Sequence, residues 1–184
     1  MADGTPKTFL KTLRPGKILG LEILIAPSAL AGSVVIFAVM TVVFATLVGL
    51  SPVESVAAGF LAMLLHWLGG FLHHVGHSIA ARRTGYPMTG VLVFLVIGRS
   101  LYPRDEPELL GSVHVRRALG GPAMSFIVGL MGVVLVLLGP ASTSRLLNAL
   151  AVFFAAENLL VYTLGALLPL GFTDGSSLLR WWGK

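Results

Sequence analysis

Four histidines, His66, His73, His74 and His77, fall close together in an apolar stretch that carries no other ionisable side chain until Arg82. At about 100° per residue, His73 and His77 sit about 40° apart around a helix and one turn apart in height. Imidazoles so placed can share one metal ion. Imidazole suits zinc, iron or copper, and zinc is the commonest choice for a tetrahedral site. A single buried histidine is more simply read as bonded to a backbone carbonyl. A pair deep in an apolar helix weighs toward a metal, because ionisable groups inside a membrane are rare and costly. His66 lies about 20° off the line of His73 and roughly 10 Å along the axis, too far to share the ion. Its plain reading is a hydrogen bond to a neighbouring helix; its functional readings are a proton relay or a porphyrin ligand. Two acids, Glu157 and Asp174, lie at or near the depth of these histidines. Glu157 needs a partner, and a hydrogen bond to Asn or His across helices would provide one. Asp174 is either a helix N-cap or a carboxylate metal ligand.

The elements that must position these groups are membrane spans. The 184 residues are 55% hydrophobic and 11% charged, well below the roughly 25% charged of a soluble domain. That deficit fits a chain solvated by lipid. The residues predict an all-α polytopic membrane protein, one domain over 1–184. About four transmembrane helices run over 28–50, 53–83, 113–138 and 144–168, and a short terminal helix covers 175–183. Residues 18–25, ahead of Pro27, form a short strand or interfacial segment. Residues 85–102 are rich in Val, Leu and Phe but interrupted by Gly90 and Gly98. They predict a short β-hairpin or re-entrant segment between the second and third helices. Gly139-Pro140 ends the third helix. With no cysteine in the chain, a thiolate metal site and a catalytic thiol are excluded.

The net charge is +5. The basic residues flank apolar spans, so they speak of topology and not of nucleic acid. Lys7, Lys11, Arg14 and Lys17 precede the first span. Arg82, Arg83, Arg99, Arg104, Arg116 and Arg117 lie in the central loop and helix edges, and Arg180 and Lys184 end the chain. Of the 13 lysines and arginines, these are all but Arg145. Four spans place both termini on one side. The positive-inside rule makes that side cytoplasmic, in a multi-pass protein of the cell (inner) membrane.

The run Phe71-Leu72-His73-His74-Val75-Gly76-His77-Ser78-Ile79-Ala80-Ala81-Arg82-Arg83-Thr84-Gly85 resembles the site-2 protease family of intramembrane zinc metalloproteases, which carries His-Glu-x-Gly-His. Two further motifs agree in order. Gly120-Gly121-Pro122-Ala123-Met124-Ser125 resembles that family's Gly-Pro segment. Asn158-Leu159-Leu160, Leu168-Pro169-Leu170 and Asp174-Gly175 resemble its Asn, Leu-Pro and Asp-Gly elements. The resemblance implies zinc, or another divalent metal, on His73, His77 and Asp174, and an Asn158 that helps hold a substrate strand or an oxyanion. One departure is central: His74 stands where the family has its glutamate base. Imidazole can transfer protons, but its protonated form is disfavoured beside a dication. His74 can instead ligate the metal, and a site closed by four protein ligands is structural. Two functions follow. One is an active intramembrane protease cleaving transmembrane segments, with His74 or Glu157 as base. The other, which the missing glutamate favours, is a non-catalytic homologue serving as a subunit or stabiliser of a larger membrane complex, with partner membrane subunits in place of a substrate.

Overall fold

The structure is a computed structural model that describes residues 12–138 and 144–184. Lys7, Lys11 and the Gly139-Pro140 break lie outside the described residues. The chain opens with a hairpin, β1 (Leu13–Ile18) and β2 (Leu21–Ile25), and enters helix α1 at Pro27. Proline suits that first turn because its fixed φ is helical and its missing N–H would have no partner there. Helix α1 (Pro27–Val43) runs into a π-helical turn at Phe44–Val48, and Gly49, with φ of 70°, ends it. Helix α2 (Pro52–Arg83) starts with a capping box. The Ser51 side chain accepts from the Glu54 N–H, and the Glu54 side chain accepts from the Ser51 N–H. Strands β3 (Gly90–Phe94) and β4 (Ile97–Leu101) follow, then α3 (Gly111–Leu138). Helix α4 (Arg145–Ala156) continues in π-helical winding over Glu157–Gly165, and α5 (Asp174–Trp181) ends the chain.

Among the described residues, four helical segments are long and apolar enough to cross a bilayer: Pro27–Val48, Pro52–Arg83, Gly111–Leu138 and Arg145–Gly165. Large apolar side chains such as Leu30, Val34, Phe60, Met131 and Leu160 stand exposed on them, as lipid-facing residues do. The chain is a multi-pass membrane protein. Lipid-solvated helices gain little from burying more leucine, so close packing through small residues takes over. Gly76 of α2 meets α3 so tightly that a Cβ there would lie 2.2 Å from the Gly120 carbonyl oxygen, and Gly59 meets α1 at Thr41 in the same way.

The all-α expectation omits one layer. A four-stranded sheet in the order β1-β2-β3-β4 packs beside the bundle. β2 and β3 are parallel, and the outer pairs are antiparallel. The segment around 18–25 is therefore a hairpin paired to the β3–β4 hairpin, which the sequence hides because the partners lie some 68 positions apart (Glu22 against Gly90). Leu21, Ile23, Met88 and Val91 bury together against Ala81 of α2 and fasten sheet to bundle.

The β3–β4 turn is clasped by two residues of α1. Leu95 has φ of 48°, a left-handed conformation that a bulky residue adopts only when its surroundings impose it. Its carbonyl oxygen would lie 1.9 Å from a Cβ on Gly32 of α1. The Ser28 hydroxyl accepts from its N–H at 3.3 Å.

A candidate metal centre between helices α2, α3 and α5

Helix α2 carries both His73 and His77 on the face that meets α3, and both are buried. Their Nε2 atoms are 3.0 Å apart. Asp174, the first residue of α5, brings Oδ2 to 3.2 Å from His73 Nε2 and 3.3 Å from His77 Nε2. A tetrahedral ion with bonds of about 2.0 Å spaces its ligands about 3.3 Å apart. The three atoms are thus one face of a tetrahedron of that size. Among the described residues they are the group of three or more that can hold an ion.

The neighbours prepare these atoms. His77 Nδ1 faces the Arg117 carbonyl at 2.8 Å, so it donates there and leaves Nε2 with its lone pair toward the cluster. His73 Nδ1 lies 3.0 Å from the Ser125 hydroxyl, which can accept in the same sense. Burial alone would raise the Asp174 carboxyl, but the contacts with His73 and His77 outweigh it and hold it at about 2. It is anionic, as a ligand must be. Space is reserved as well. A Cβ at Gly121 would sit 2.3 Å from His77 Nε2 and 2.5 Å from His73 Nε2. Only a residue without a side chain leaves that volume free. Donor type, spacing and free volume all fit a divalent first-row ion, and two nitrogens with one carboxylate oxygen fit zinc.

His74 lies outside the cluster. Its Nδ1 is 3.1 Å from the Ser100 hydroxyl, and its Nε2 packs on β4, where a Cβ on Gly98 would come within 2.2 Å. Glu157 is bound to His66, with Oε1 at 2.6 Å from Nδ1. Asn158 is fully buried, its amide donating to the Phe154 carbonyl at 2.9 Å, and it packs against Gly69 of α2. The π winding explains why these α4 groups share a face. Residues five apart stand above one another in i→i+5 winding, whereas an α-helix would separate them by about 140°. Glu157 and Tyr162 thereby both reach His66, the Tyr162 hydroxyl donating to the His66 carbonyl at 3.0 Å.

A similarity to a solved structure accompanies this geometry. The site-2 protease from Methanocaldococcus jannaschii superposes with a TM-score of 0.63 over 92% of this chain and 70% of that one, at 20% sequence identity. The chain has a site-2-protease-like fold. No family model matches the sequence, and no curated protein matches it.

Sequence reasoning passes over several contributors to this candidate centre. Gly121 and Ser125 are in the quoted Gly-Pro motif without a role assigned. The Arg117 carbonyl has no sequence signal, since any residue supplies one. Arg117 itself reads as a topology charge but is buried, its guanidinium paired with Glu106 and stacked 4.2 Å from the Tyr102 ring centre. Burial pushes that tyrosine hydroxyl up to about 12, so it stays neutral beneath the arginine.

Proposed function

We propose that this protein is an intramembrane metal-binding protein with the site-2-protease fold and little or no peptidase activity, acting as a subunit or stabiliser of a larger membrane complex. His73, His77 and Asp174 would hold the metal, with Ser125 and the Arg117 carbonyl orienting the two imidazoles. A divalent ion there supplies Lewis acidity toward oxygen ligands. The observation that carries the non-catalytic reading is the engagement of both candidate bases. His74 is spent on Ser100 and Gly98 of β4, and Glu157 on His66. Amide cleavage needs a group that takes a proton and later delivers it to the leaving nitrogen, help worth about 10²–10⁴ in rate. No unengaged carboxylate stands at position 74 to give it. Asn158, fully buried and bonded within its own helix, supports packing of α4 on α2 better than contact with a substrate.

Two features favour the second reading, an active intramembrane protease. Three protein ligands leave a fourth position open, as catalytic zinc sites do. A largely apolar cavity of about 750 Å³, bounded by β2, β3, α1 and α2, also reaches His74 and Tyr162. The test is a paired assay on transmembrane peptides in bilayers, comparing the natural chain with His74→Glu. The proposal expects cleavage only from the variant. Equal cleavage by both, abolished by a chelator, would establish the protease reading and end the non-catalytic one.

A further inference from the structure

His66 stands apart from the metal cluster, yet both of its ring nitrogens face acceptors. Nδ1 is 2.6 Å from Glu157 Oε1. Nε2 is 2.8 Å from the Val96 carbonyl oxygen, in the β3–β4 turn. A neutral imidazole has one N–H and one bare lone pair. If Nε2 carries the proton, Nδ1 turns a lone pair on a carboxylate at 2.6 Å. If Nδ1 carries it, the lone pair meets the Val96 carbonyl. The Tyr162 hydroxyl, 3.2 Å from Nδ1, does not relieve this, because its proton goes to the His66 carbonyl and Oε1 still faces Nδ1 at the shorter distance. No other ionisable side chain among the described residues lies within hydrogen-bonding reach of the pair. The two side chains are only 9% and 10% exposed, so water offers little help.

We infer that His66 and Glu157 together hold one proton beyond a neutral imidazole and a carboxylate, and that this proton latches the β3–β4 turn to helices α2 and α4. The proton resides on Nδ1, giving imidazolium and carboxylate, or on Glu157, giving a carboxylic acid that donates to Nδ1. In both forms Nε2–H donates to Val96, and the pair is uncharged overall. A charge-neutral pair is the form a membrane interior tolerates. The latch has something to restrain. The turn it grips contains Leu95 in its left-handed conformation, and such strain persists only where neighbours over-determine it. Strand β4 leads from that turn to Gly98 and Ser100, which position His74 beside the metal ligands. His66 and Glu157 are therefore positioning residues that act on the centre through the strand. This holds whether or not the centre is catalytic.

The test uses the full chain in lipid bilayers with ¹⁵N-labelled histidine, His66 being assigned by its loss in His66→Asn. The expected spectrum shows His66 with both ring nitrogens protonated. Equally supportive is one protonated nitrogen together with a carboxylic-acid infrared band that vanishes in Glu157→Gln. A bare His66 nitrogen without such a band overturns the inference. A second measurement reads hydrogen exchange at residues 95–98. In Glu157→Gln the new amide would donate to Nδ1 and leave Nε2–H for Val96, so this variant should match the natural chain. Glu157→Ala leaves Nδ1 without a partner and should exchange about fivefold faster or more there, the factor that one ordinary hydrogen bond represents. If Glu157→Ala also speeds exchange along α3 it has unfolded, and Glu157→Gln with the spectra decides. Glu157→Gln exchanging faster than the natural chain, or a folded Glu157→Ala as protected as it, overturns the latch.

Discussion

Replacing Gly121 with alanine should empty the metal centre while leaving the bundle folded. The added Cβ would lie 2.3 Å from His77 Nε2, 2.5 Å from His73 Nε2 and 2.6 Å from His73 Cε1. Ordinary contact needs about 3.5 Å, so the two imidazole edges must retreat by about 1 Å. Metal–ligand bonds tolerate about 0.2 Å. The retreat therefore breaks both nitrogen bonds at once, and affinity should fall by about 100-fold or more, beyond the usual 10–100-fold loss of an outer-shell partner. The backbone has no reason to object. The nearest obstacles to the new methyl are side-chain rings, and alanine is the better helix former by about 1 kcal/mol. Gly120→Ala serves as a contrast, since its Cβ meets the Gly76 carbonyl oxygen at 2.6 Å and must push the helices apart. The assay is elemental analysis of purified protein beside thermal unfolding with and without a chelator. Gly121→Ala should lack metal and melt identically in both conditions. Full metal occupancy with natural affinity in Gly121→Ala would refute the placement of an ion among His73, His77 and Asp174.

Ser125→Ala should lower metal affinity by about 10–100-fold with the fold unchanged, read by competition with a chromophoric chelator. Arg117→Ala leaves the Glu106 carboxylate without its buried partner. It should destabilise the protein by about 3–5 kcal/mol, and adding Glu106→Gln should recover part of that loss in the same melt. Topology is open to labelling of single cysteines, Lys7→Cys and Ser142→Cys. The charge distribution expects the first to react only from the cytoplasmic side and the second only from the other.

Spans and the histidine pair were legible because each obeys a local period. The apolar runs are the length of a bilayer, and His73 and His77 are one turn apart. Asp174 could be placed with them only by resemblance, since nothing between Gly165 and Asp174 says how the chain turns back toward α2. The sheet was half visible. Gly90 and Gly98 pointed to a hairpin or a re-entrant segment, but the parallel pairing of β2 with β3 joins segments separated by two helices and has no local signature. The partner of Glu157 was anticipated only as an Asn or a His, because helix phase cannot be read across a change of winding. His74 and Gly98 show the same limit. Each is explained by the other, 24 positions away in the chain.

The π-helical stretch at Glu157–Gly165 is in effect a stored residue. A chain one residue shorter there could close up into ordinary α-helix with the phase beyond it little changed, because the wide turn is what absorbs the extra residue. With a residue lost between them, Glu157 and Tyr162 would stand four apart, about 40° around an α-helix, and would still share the face toward His66. Substitution scans change the side chains of α4 and never its length. They would rank Val161, which faces outward, among the most forgiving positions, and its outright loss should be tolerated as well, the winding tightening around two buried polar groups that keep their face.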